Sequence, residues 1–72
     1  MYVELFGSKL REARTRIGFT QEHVAALLSI SRTNITNYEL GRTQPDVETM
    51  GKLIDLYEIS ADWLLGTGIT KR

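Results

Sequence analysis

Two residues, Ser29-Ile30, are all that separate the end of one helical pattern from a strong start signal for the next. Thr20 is a good N-cap, and Gln21 to Leu28 reads as a short helix with Val24, Ala25 and Leu28 facing inward. Ser31 is a second good N-cap. The pair between them is too short for anything but a turn. The middle of the chain is therefore a tight corner between two helices, provided that the residues after Ser31 are helical.

Local propensity argues against that. The stretch Ser31 to Tyr38, SRTNITNY, is built from mediocre or poor helix formers. It also contains Asn34-Ile35-Thr36, an N-glycosylation acceptor pattern. It carries one basic residue, no acidic residue and many short hydrogen-bonding side chains, as a surface that touches nucleic acid would. On a helix, with Arg32 at zero, Thr36 falls at about 40°, Thr33 at about 100°, Asn37 at about 140° and Asn34 at about 200°. Tyr38 falls at about 240° and Ile35 at about 300°. The polar residues share one sector and the two large apolar residues share the other. A strand would send Ile35 and Tyr38 to opposite faces. Periodicity and cap together predict a helix.

The rest of the chain reads the same way. A first helix from about Val3 to Ile17 has Phe6, Leu10, Ala13 and Ile17 on one stripe, and Gly18 stops it. Gly41 to Pro45 is a loop. Asp46 caps a fourth helix with an expected apolar stripe of Val47, Met50, Leu53, Ile54 and Tyr57. Gly51 inside it costs about 1 kcal/mol relative to Ala, and is read as close packing or a tolerated flaw. Ser60 caps a fifth helix, Ala61 to Leu65, closed by Gly66. Residues 1–66 make one all-α domain, and 67–72 a frayed tail or the start of a linker.

Seventy-two residues supply only a small core, burying about 60% of the surface exposed by the unfolded chain. There is no cysteine for a disulfide or thiolate zinc site, so stability rests on apolar packing, caps and dimerisation. No apolar run approaches the roughly 20 residues that span a membrane. No basic region precedes an apolar core at the N-terminus, so no signal peptide is read. The expected location is cytoplasmic, and the glycosylation reading of Asn34 loses its weight. The net charge is zero. Residues 1–44 carry six basic and four acidic side chains, a balance of +2; residues 45–72 carry three and five, a balance of −2. That permits a mildly basic face without requiring one.

The chain resembles the phage repressor and Cro-type, Xre-like, helix-turn-helix family. The likeness is carried by Leu10 to Arg14, Thr20-Gln21-Glu22, Val24-Ala25, Leu28, Ile30-Ser31, Ile35, Tyr38-Glu39, Gly41-Arg42, Pro45 and Asp62 to Gly66. It covers about residues 5–66. It implies a compact five-helix, lambda-repressor-like fold that sets its third helix into the major groove of double-stranded DNA. By position, the base contacts expected are Arg32, Thr33, Thr36 and Asn37. Arg32 suits guanine O6 and N7, Asn37 suits adenine, and the Thr methyls suit thymine methyls. Gln21, Ser31, Asn34, Arg42 and Thr43 are the expected phosphate contacts. Arg14 and Glu39 are expected to form a structural ion pair joining the first and third helices. Two departures stand out. Ser29 occupies the turn where the family usually has Gly, at about 1 kcal/mol if its backbone is left-handed. Leu40 replaces a residue that is often polar or basic, which points to packing on the fourth helix or to a dimer contact.

Other chemistry has little to stand on. His23 lacks the cysteines or carboxylates of a metal or general-base site and reads as a surface residue. Glu22 reads as a first-turn acid favoured by the helix dipole. Trp63 reads as core between the first and last helices. No nucleophile with a base, phosphate-cradling Gly loop or cofactor motif is present, so neither an enzyme nor a small-molecule ligand is expected. The expectation is a DNA-binding transcriptional regulator, a repressor, acting as a homodimer on a pseudo-palindrome with half-sites about 34 Å apart. Its dimer surface is expected near Leu64, Leu65 and Ile69. The competing reading is a protein-interaction module, such as an antitoxin, on the same fold. RNA binding lacks aromatics interleaved with basic residues.

Overall fold

The computed structural model describes residues 2–65, with side chains for residues 6–64. The closure by Gly66, the tail after it, Ile69 and the side chain of Leu65 lie outside these residues. Within them every regular element is a helix: α1 (Tyr2–Ile17), α2 (Gln21–Leu28), α3 (Arg32–Leu40), α4 (Val47–Tyr57) and α5 (Ala61–Leu65).

Short side chains start the helices. Thr20 accepts from the His23 amide at 3.0 Å, Ser31 from Asn34 at 3.2 Å, Asp46 from Thr49 at 2.8 Å and Ser60 from Trp63 at 3.0 Å. Each bond satisfies a backbone donor that the helix itself leaves unpaired. The bond to Asp46 holds its carboxyl below the usual carboxylate range. The helix ends share another device. Gly18, Ser29, Gly41 and Glu58 are left-handed, with φ of 87°, 58°, 77° and 57°. The amide of each next residue reaches back over the last turn, Phe19 to Arg14, Ile30 to Ala25, Arg42 to Asn37 and Ile59 to Ile54, at 2.9–3.1 Å. Ser29 thus carries the strain of a left-handed L-residue, about 1 kcal/mol. Glu58 carries the same strain, and its sequence context gives no sign of it.

Every helix contributes to one core. Phe6, Leu10 and Ala13 come from α1, Val24 and Ala25 from α2, and Ile35 from α3; Leu53 and Tyr57 come from α4, and Leu64 from α5. Ala25 is buried at the α2–α3 corner, where a larger side chain would overpack by about 1–3 kcal/mol. Helix α1 lies across α3, α4 and α5, and α2 packs on α3. The crossing of α1 over α3 depends on Gly7. A Cβ there would stand 2.5 Å from the Glu39 carbonyl oxygen and 2.8 Å from that of Tyr38. The backbones nearly touch, so the glycine inside α1 is a requirement of packing.

Two expectations are corrected and a third is narrowed. Val47 is 88% exposed, because it is the first residue after the Asp46 cap and points away from the core; the buried stripe of α4 begins later. Gly51 is exposed, and an added Cβ would meet nothing beyond its own helix backbone within 4 Å, which removes close packing and leaves the tolerated flaw. Leu64 is 1% exposed, spent on the domain's own core, and has no surface to offer a dimer. Trp63 is half-buried against that core. Lys9 donates to its carbonyl oxygen at 2.6 Å, and the Lys9 and Arg16 cations sit 5.2 and 5.3 Å from its ring centre.

Candidate nucleic-acid interface

Helix α3 is anchored from one side. Ile35 and Glu39 are buried, and Tyr38 packs against the core. The opposite side of its first turn is open: Ser31, Arg32, Thr33 and Asn34 are all exposed. The Ser31 oxygen is occupied by the Asn34 amide, which leaves its hydroxyl hydrogen free to point outward. Thr36 and Asn37, placed by the sequence on the open face, are half-buried. Arg42 and Thr43 are exposed in the loop after α3, on the far side of the Gly41 turn.

A buried polar network underlies this surface. Arg14 Nε donates to Glu39 Oε2 at 2.6 Å and Arg14 Nη2 to Oε1 at 3.1 Å; Nη1 donates to the Phe19 carbonyl at 2.8 Å. The guanidinium faces inward and ties α1, the α1–α2 corner and α3 together. Its hydrogen bond to Glu39 raises its pKa. Tyr57 lies beside the pair, and burial, with the Glu39 charge second, pushes its phenol upward from the ordinary tyrosine value.

Glu39 has a second task. Its Oε1 also accepts from Gln21 Nε2 at 3.0 Å. Gln21 Oε1 in turn accepts from Thr36 Oγ1 at 2.9 Å and from Arg32 Nε at 3.4 Å. Gln21, expected from the sequence to meet a phosphate, is therefore committed at both ends of its amide. One amide hydrogen remains for an outside partner. The sequence does not reveal this internal role, because the spacing of Gln21, Thr36 and Glu39 along the chain does not show that they meet. Arg32 Nη1 also stands 3.7 Å from Glu22 Oε2, with both side chains largely exposed, so the pair is weak.

An open groove of about 650 Å³ runs along this network, lined by Ser8, Arg11 and Thr15 of α1 and by Thr36, Glu39 and Leu40 of α3. His23 is exposed and meets Phe19 edge-on, with ring centres 4.7 Å apart. Among the described residues no three His, Asp or Glu side chains gather as a metal ion would require.

Two short helices joined by a three-residue corner, the second anchored inside and open outside, define a helix-turn-helix domain. The chain belongs to the helix-turn-helix family, whose model matches residues 10–64. It is 45% identical over 60 residues to the HTH-type transcriptional regulator ImmR of Bacillus subtilis, covering 83% of this chain and 47% of the other. It is 38% identical over 61 residues to the SPbeta prophage-derived regulator YonR of the same organism, covering 85% and 56%. It is also 37% identical over 62 residues to the cryptic phage CTXphi transcriptional repressor RstR of Vibrio cholerae, covering 86% and 55%. The chain spans about half the length of these relatives.

Proposed function

We propose that this chain is a sequence-specific DNA-binding transcriptional regulator, a repressor that occupies a pseudo-palindromic operator as a dimer. The observation that carries the reading is the first turn of α3: exposed, rich in short hydrogen-bonding side chains, and fixed to the core from behind by Ile35 and the Arg14–Glu39 pair. A helix held this way can enter the major groove and present Arg32, Thr33, Thr36 and Asn37 to base edges. Ser31, Asn34, Arg42, Thr43 and the remaining Gln21 hydrogen would meet phosphates. The names of the relatives, transcriptional regulators and a phage repressor, support the same reading. With a net charge of zero, nonspecific attraction to DNA is weak, and affinity has to come from matched contacts.

Selection from random duplex DNA at fixed salt tests this. The wild type should enrich a two-fold-symmetric site with half-sites about 34 Å apart. Arg32→Ala and Asn37→Ala should each relax different positions, with about 1–3 kcal/mol of discrimination lost per bidentate contact. A wild type that enriches nothing, indistinguishable from both variants, would reject the reading.

A further inference from the structure

The network behind α3 does more than hold it in place, because it fixes which hydrogen-bonding groups the surface can offer. Glu39, paired with Arg14, presents carboxylate oxygens that only accept. Gln21 must therefore turn its NH2 group toward Glu39, since the flipped amide would set two acceptor oxygens 3.0 Å apart. That leaves Gln21 Oε1 facing Thr36. The Thr36 hydroxyl stands 2.9 Å away from an oxygen that cannot donate, so Thr36 gives up its only hydrogen. What remains on Thr36 Oγ1 is a pair of acceptor sites.

We infer that the Arg14–Glu39 pair, acting through Gln21, makes Thr36 an acceptor-only reader that selects a base with an exocyclic amino group in the major groove. This rests on the DNA-binding reading above. Adenine N6 and cytosine N4 are the donors available there; guanine and thymine show only acceptors, apart from the thymine methyl. Gln21 and Glu39 are then positioning residues for base choice, and Thr36 is the specificity-determining one. The contact expected from the sequence, a Thr36 methyl on a thymine methyl, is the rival.

The test is selection from random duplexes with the wild type, Thr36→Val and Gln21→Met, each checked for helical content. Thr36→Val keeps the methyl and puts a second methyl in place of the hydroxyl, so the half-site position that loses its preference for an amino-bearing base is the one the Thr36 hydroxyl reads. The wild type should carry adenine or cytosine at that position. Gln21→Met frees the hydroxyl hydrogen, so guanine or thymine should rise there. A third arm alters the DNA: in the best wild-type site, that adenine is replaced by purine, or that cytosine by 2-pyrimidinone, and the loss is read relative to Thr36→Val on the same pair of duplexes, which cancels the weakened base pair. Binding should fall about fivefold more for the wild type than for Thr36→Val. Guanine or thymine preferred by the wild type, no position losing that preference with Thr36→Val, no change with Gln21→Met, or an equal loss on the amino-free base for the wild type and Thr36→Val would each overturn the inference. In all four cases an enriched site would leave the DNA-binding reading standing. A wild type with no enriched site would reject that reading and the inference with it.

Discussion

Along its nine residues α3 changes character. Its first turn, Arg32 to Asn34, is exposed and begun by the Ser31 cap. Its second half holds Ile35 and Glu39 under the core, lies in near backbone contact with α1 at Gly7, and ends on Gly41. One helix is thus divided into a part that keeps the domain folded and a part left for an outside partner. The division teaches that stability and the exposed surface can be altered separately, except where Gln21 and Glu39 join them.

The sharpest way to break the division is at its inner end. Glu39→Ala leaves the Arg14 charge buried without its partner and should cost about 3–5 kcal/mol, a large share of a small domain's stability. Urea unfolding followed by circular dichroism would measure it, and a loss below about 1 kcal/mol would mean the pair is screened by water. Gly7→Ala should come next, at about 1–3 kcal/mol, because the new methyl meets carbonyl oxygens that belong to the backbone. An unchanged unfolding midpoint would show that α1 can lift off α3 cheaply. Ser29→Gly should work in the other direction, stabilising by up to about 1 kcal/mol at the left-handed turn. Arg32→Ala should change unfolding by less than about 0.5 kcal/mol, since its contacts to Gln21 and Glu22 are exposed. A larger loss there would mean that the outer half of α3 also holds the fold.

Much of the division was legible in the sequence. Thr20, Ser31, Asp46 and Ser60 mark their helices because a cap is a local event, decided within three residues. The angular sorting of SRTNITNY put Ile35 inside and Arg32 and Thr33 outside for the same local reason. What escaped the sequence depends on distant partners. Gly7 has no reading in the sequence, and its reason appears only when α3 is laid against it. Gln21 looks like a free polar residue until Glu39, 18 positions away, claims its amide. Val47 has the right period for the stripe of α4, but a first-turn position beyond the edge of the core gives an apolar side chain nothing to pack on. The Arg14–Glu39 pair came from the family likeness, because spacing alone does not say that an arginine of one helix faces a glutamate two helices later.

The two cations over Trp63 have an optical consequence. Trp63 is the chain's one tryptophan, so its emission comes from a single indole with Lys9 and Arg16 close to its ring. Release of α5 from α1 would move that ring from a half-dry, positively charged setting into water. The colour of the fluorescence therefore reports whether the last helix is seated, while circular dichroism reports the helices as a whole. If the two signals change together on heating, the domain melts as one unit; if the fluorescence moves first, α5 is where it begins to open.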